Sequence, residues 1–437
     1  MMTTTLRIWP IALALGLLLP ATAPAAPLPT ISDEQVKERL LKLNELTTEI
    51  AANERLRELA KDKPLAKRLV AMGAKMHADA KPKEKPFKFN ASLVLGKLAQ
   101  GQKDYKTAKV FYEYCEEDAS KLDSESKLAF AMEALIDLSW EQKDFEAVIA
   151  RCQKVLQAEP EGMELRGLQN YALEKLVQST ARSGKTEEAL AMIDKLPFRK
   201  WYSSQLRSYV YREADKTQEA IDELEESQKS LEDEDGLTDE QKTRLKRNAK
   251  YMTTNLYVDL KKIDKAAEIL EGLIKDDPEN PTYPNDLGFV WCDNDLKIDE
   301  SEKLIRKALE LDEKMRKKLL DDKKIDAETA KKRTSAYLDS LGWVLYKKKD
   351  YKEAVKYLLE ASEDEEEAQH IEIWDHLADC YLAMGDTAKA IETWTKALKF
   401  EDISKRDAER RKKVTAKLQK AKAATKKDEK PAEKDKN

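Results

Sequence analysis

The chain has 437 residues, of which 37% are charged and only 7% aromatic, with 12 glycines and a net charge of −5. So little glycine and aromatic residue disfavours a sheet-rich fold and leaves few loops able to cradle a phosphate. The acidic balance, with a sequence pI near 5.7, gives no whole-chain basic field and excludes nucleic acid as the expected partner.

Arg7 precedes an apolar run over residues 8–19, and Ala23, Pro24 and Ala25 then present the small-residue spacing that a signal peptidase reads. The run is short for a bilayer span, so residues 1–25 read as a cleavable signal peptide cut after Ala25. Its removal is expected to leave an exported chain, periplasmic or extracellular, without an integral membrane segment. Residues 26–88 are read as a helical cap and linker. Ser32 and Gln35 make a capping box, and Val36, Leu40, Leu43, Leu46 and Ile50 then recur at helical spacing, which predicts one helix. That helix suits the cover of an end repeat, or a self-association strip. Lys-Pro-Lys-Glu-Lys-Pro at 81–86 marks the linker.

From residue 89 to 403 one pattern keeps returning. Its clearest copy has Leu341, Gly342, Tyr351, Ala354, Leu358 and Ala361; the next has Trp374, Leu377, Ala378, Tyr381, Gly385, Ala390, Trp394 and Ala397. Position eight of the unit falls at Gly96, Ile136, Val177, Ser208, Thr254, Gly288, Gly342 and Ala378. Position twenty falls at Ala108, Val148, Ala189, Ala220, Ala266, Ser301, Ala354 and Ala390, with one extra residue before Ser301. Small residues are needed where two helices cross closely, so the pattern predicts about eight helix-turn-helix units. The units anchored at Ile136, Val177 and Ser208 are degenerate. Within the array, Thr238 and Gln241 begin a fresh helix after the acidic Glu232–Gly236 loop.

These residues resemble the tetratricopeptide repeat family, and the stretches at 339–343 and 374–379 resemble terminal repeats of its exported bacterial members. The resemblance implies an all-α fold, a right-handed α-solenoid of paired antiparallel helices with capping helices at both ends. It also implies a concave groove lined by first helices, a protein or peptide partner, and no catalytic residues. In the groove register, positions two, five, nine and twelve include Tyr202, Tyr209, Tyr251, Asn255, Asn285, Phe289, Trp343 and Tyr346. That row is richer in aromatics than a solvated face requires, and its tyrosines and tryptophan supply contact area with a polar tip. The family's charged clamp for a terminal carboxylate is missing, because Tyr251 stands four residues before Asn255 where a lysine would be needed.

Residues 310–335 are a charged insertion, roughly 19 residues beyond the period, expected as a lengthened, solvated helical hairpin. Residues 404–424 read as a basic capping helix and 425–437 as a disordered tail. The four cysteines, Cys115, Cys152, Cys292 and Cys380, read as buried small hydrophobes, with Cys115 and Cys152 the pair that a bridge would join.

Catalytic motifs fail on inspection. Gly184-Lys185-Thr186 imitates the end of a phosphate-binding loop, but Ser179 stands where its first glycine belongs. His370 and His376 lie six residues apart, the wrong spacing for two ligands on one helix face, and His77 is remote. Asp293 and Asp295 start like a calcium loop without its glycine or distal glutamate. No catalytic residue, cofactor or metal is expected. The reading is an exported scaffold that binds a protein in the cell envelope. The alternatives are an envelope assembly factor that binds surface polysaccharide and, behind both, an unrecognised helical-repeat enzyme.

Overall fold

The computed structural model describes residues 31–80, 85–363, 370–400 and 405–428. The signal peptide at 1–25, part of the linker and residues 429–437 of the tail lie outside the described residues. The described chain is helical with no strand, and it forms two compact units that part between Leu176 and Val177.

The first unit opens with α1 (Asp33–Lys42), α2 (Glu49–Lys61) and α3 (Lys63–Asp79), followed by α4 (Phe89–Gly101), α5 (Tyr105–Lys121), α6 (Glu125–Glu141) and α7 (Phe145–Gln157). α8 (Met163–Arg182) begins in it. Ser32 and Gln35 form the expected capping box at α1. The helix predicted across Val36 to Ile50 is broken, however: a 3-10 turn follows at Leu43–Glu45, α2 starts from a Thr48 cap, and Ile50 is 72% exposed. The break has a tertiary cause. Asn44 uses its side-chain amide on the Pro86 carbonyl at 2.9 Å and accepts from the Lys88 N–H at 2.7 Å, which ties the turn to the approach of α4. Val36, Leu40, Leu59 and Leu69 then share one core with Phe87, Phe89, Leu95 and Tyr112, so α1 to α3 cover the end of the repeat array.

The second unit continues with α9 (Thr186–Ile193), α10 (Lys200–Glu213), α11 (Thr217–Ser230), α12 (Asp239–Asp259), α13 (Ile263–Asp276), α14 (Thr282–Asp293) and α15 (Ile298–Asp321). After these come α16 (Ala327–Lys331), α17 (Ser335–Lys347), α18 (Tyr351–Ala361), α19 (Ile371–Ala383), α20 (Thr387–Ala397) and α21 (Lys405–Asp428). The capping box of Thr238 and Gln241 starts α12 as predicted. The C-terminal helix runs to Asp428, so residues 425–428 of the expected tail are its last turn.

Each predicted repeat is a first helix and a second helix, and all the residues at positions eight and twenty are buried. The glycines show why. A Cβ on Gly96 would lie 2.5 Å from the Tyr112 ring, one on Gly288 2.8 Å from Ile305 and the Ser301 carbonyl, and one on Gly342 2.5 Å from Leu358. Between the two helices of most pairs the chain turns through one left-handed residue, such as Lys103, Gly184, Lys349 or Gly385, before the second helix begins. The extra residue of the sixth unit is absorbed there, by Asp295 and Lys297 both at positive φ.

The insertion lengthens α15 and folds back through α16. Asp312, 1% exposed, accepts from Arg316 at 3.0 Å and from Thr334 at 3.0 Å, while Arg316 also donates to the Ala330 carbonyl. All four cysteines are free and buried, and burial pushes the Cys152, Cys292 and Cys380 thiols up to about 12. No helix among the described residues is long and apolar enough to cross a membrane.

Candidate interaction face on the first helices

The predicted row is distributed over α10, α12, α14 and α17. On α10, Tyr202 packs edge-on against Phe198 at 5.1 Å and Trp201 at 5.5 Å, and Tyr209 accepts from Arg182 at 2.9 Å. Tyr251 of α12 donates to Asp286 at 2.6 Å and lays its ring 5.5 Å from Tyr283. Asn285 is buried beside it and donates to the other Asp286 oxygen at 3.1 Å. Burial holds the Asp286 carboxyl above the usual range, although both donors favour its charge.

One turn further along α14, Phe289 reaches a second group. Trp343 is stacked on Tyr346 at 4.8 Å and on the His376 ring at 4.1 Å, and Phe289 lies 6.4 Å from the same imidazole. Phe289, Trp343 and Tyr346 are therefore brought together, and Tyr251 joins Asn285 through Asp286. Tyr202 and Tyr209 keep separate partners. Solvent exposure does not follow the predicted register: Asn285 and Trp343 are buried because successive first helices close over them, whereas Asn255 is exposed.

Sequence reasoning missed a charged network on these helices. His376 is fully buried; its Nδ1 lies 2.9 Å from Asp339 and its Nε2 3.3 Å from Arg410 of α21. Burial works against charging this imidazole, but the Asp339 and Glu372 carboxylates together outweigh it and leave the pKa above its ordinary value. Asp375, 2% exposed, accepts from Trp394 at 2.9 Å, from Lys417 at 2.8 Å and from Arg410 at 3.4 Å. Lys417 also donates to Asp379 at 2.6 Å, and Arg410 to Glu372. At the start of α21, Arg406 donates to the Asn255 carbonyl at 3.0 Å and to Asp259 at 2.8 Å, both on α12. Val414, Leu418 and Ala421 meanwhile bury the apolar side of α21 in the same core as Trp394. The first-helix face of the C-terminal repeats thus holds a basic helix of the chain itself. A signal existed in the sequence: a cationic segment at 404–424 and aspartates at 339, 375 and 379 are complementary in charge.

Chemically, the Asp339–His376 pair has the form of an oriented base, but the imidazole is stacked on Trp343 and its second nitrogen faces a guanidinium. Cys380, on the same helix, is buried with a raised pKa, the opposite of an activated thiol. Among the described residues no group of His, Cys, Asp and Glu is arranged to hold a metal ion.

Residues 336–363 and 371–402, which take in α17 from its second residue and all of α18, α19 and α20, match the tetratricopeptide repeat family. The last two helix pairs are tetratricopeptide repeats. Such repeats are protein-interaction scaffolds, and nothing positive points to catalysis. Among solved structures, the chain is similar to yeast Tom70, with 14% identity and a TM-score of 0.46 over 90% of this chain and 80% of that one. It is also similar to a tetratricopeptide repeat protein of Parabacteroides merdae, with 15% identity and a TM-score of 0.42 over 65% and 98%. A thermophilic repeat protein of Thermus thermophilus follows at 16% identity and a TM-score of 0.35 over 49% and 99%. No curated protein matches the chain.

Proposed function

We propose that this chain is an exported, non-enzymatic scaffold that binds another protein of the cell envelope on the first-helix face of its repeats. The apolar run before Ala25 supports export. One observation carries the binding reading: in the second unit that face holds α21 through Arg406, Arg410 and Lys417, so it has the acidic and aromatic groups that seat a protein segment. Of the predicted residues, Asn255 is exposed and Tyr202, Tyr209, Tyr251, Phe289 and Tyr346 are half-buried, which leaves these six able to touch a partner.

The test is crosslinking and affinity capture from the native envelope with the mature protein, beside a Tyr202→Ala, Asn255→Ala, Phe289→Ala variant of unchanged melting temperature. Recovery of one protein by the parent, lost with the variant, is the expected result. Equal recovery by both, recovery that depends on glycan rather than protein in the ligand fraction, or a chain fractionating with the cytoplasm would overturn the proposal.

A further inference from the structure

The first unit contains a slot that nothing above uses. It is a cavity of about 290 Å³ between α6 and α8, lined by Ala129, Phe130 and Glu133 on one side and Glu164, Gly167 and Leu168 on the other. That is close to the lower bound of ligand cavities, roughly 300 Å³, and suits one side chain rather than a cofactor. Both ends are pinned. At one end Glu125 of α6 accepts from the backbone N–H groups of Glu161 at 2.8 Å, Gly162 at 2.7 Å and Leu165 at 3.3 Å, which holds the N-terminus of α8 in place. At the other end the Tyr171 hydroxyl donates to Asp137. The slot is therefore preformed, and a ligand would not have to order its walls.

Its chemistry is specific. Phe130 and Leu168 give apolar walls, while Glu133 and Glu164 bring a carboxylate from each helix. Both carboxylates are exposed to solvent, and neither has a hydrogen-bond or ion-pair partner among the described residues. Burial and the neighbouring Asp137 raise the Glu133 carboxyl above its usual range, and Lys97 is the cation that opposes them. Gly167 lines the slot from α8. It lies inside α8, where glycine weakens a helix, yet a Cβ there would meet nothing within 4 Å. Packing does not require this glycine.

We infer that the slot between α6 and α8 receives an arginine or lysine side chain from a protein partner, its aliphatic stem between Phe130 and Leu168 and its cationic head between Glu133 and Glu164. The inference rests on the reading of the chain as a protein-binding scaffold and names the chemistry of one subsite. An acidic side chain would meet two carboxylates, and a purely apolar one would desolvate them without compensation.

Saturation-transfer NMR on the full chain tests it with N-acetyl-arginine amide and N-acetyl-lysine amide as probes. N-acetyl-norleucine amide, with the stem but no charge, and N-acetyl-glutamate amide are the controls. The cationic probes are expected to saturate and to displace each other. Their affinity should fall up to about fivefold in Glu133→Gln, Glu164→Gln, the upper range of an exposed ion pair. It should be lost in Gly167→Leu, whose side chain fills the slot while the melting temperature holds or rises. Equal signals from norleucine and arginine, or unchanged binding in both variants, would overturn the inference. These probes report the slot alone, so their failure beside intact partner capture sinks the subsite and leaves the scaffold reading standing; failed capture with intact probe binding does the reverse.

Discussion

The C-terminal repeats and the middle repeats start their second helices from the same backbone turn with different chemistry. α18 and α20 follow Asp350 and Asp386, whose side chains accept from the N–H groups of Glu353 and Lys389. α9, α11 and α13 follow Lys185, Lys216 and Lys262, which make no side-chain cap. Yet the backbone angles nearly coincide, φ −87° and ψ 66° at Asp350 against φ −90° and ψ 67° at Lys216. The turn is therefore set by the crossing of the paired helices, whose positions eight and twenty are buried in both regions, and the aspartate cap adds stability to a geometry already decided.

The sharpest way to break the C-terminal region is Asp375→Ala. It removes the acceptor of Trp394, Lys417 and Arg410 at a site 2% exposed, and should cost about 2–3 kcal/mol by denaturant unfolding, less than a fully buried pair because both cations can reach water. The same residue gives a pH signature. Burial alone would raise its pKa, but Lys417, His376 and Arg410 outweigh burial and hold it below the ordinary carboxylate value. A depressed folded-state pKa contributes stability that is complete above the unfolded value near 4 and lost as pH falls through the folded one. The melting temperature of the parent should therefore fall more steeply below about pH 4 than that of Asp375→Asn. Identical slopes would mean that Asp375 is not charged in the network.

Next in size is Gly342→Ala, whose Cβ would meet the buried Leu358 at 2.5 Å and should cost about 1–3 kcal/mol by overpacking. Gly167→Ala, with nothing within 4 Å, should instead stabilise by about 0.5–1 kcal/mol. The opposite signs, read by melting, separate a glycine that packing demands from one it does not. Smaller still, Asp350→Ala should cost about 1 kcal/mol and Lys185→Asp should gain a similar amount, because a cap is lost in one region and supplied in the other. If Lys185→Asp gains nothing, the middle turns do not present free N–H groups in the manner of the C-terminal ones.

The repeat positions were legible because steric demand is local. A glycine or alanine at position eight and an alanine at position twenty record a close helix crossing, and the spacing survives even where Val177 and Ser208 replace the small residue. The capping boxes at Ser32 and Thr238 were legible for the same reason, since their donors and acceptors lie three residues apart. The break after Lys42 was not, because it is set by Asn44 reaching Pro86 and Lys88 across the chain. For the candidate site, the sequence supplied the row of aromatics but not their exposure. Trp343 is covered by the His376 ring, a contact that depends on how α17 meets α19.

By itself, the sequence determined the helical repeat, its register, its caps and the burial of its cysteines, all consequences of periodicity and of residue size over one or two turns. Only the tertiary structure decided where the charges meet. Arg406 finds Asp259 across 147 residues of chain, and Lys417 finds Asp375 across 42. Long-range pairing of flexible cations with buried carboxylates leaves no periodic trace, because it is set by the packing of helices that are distant in sequence.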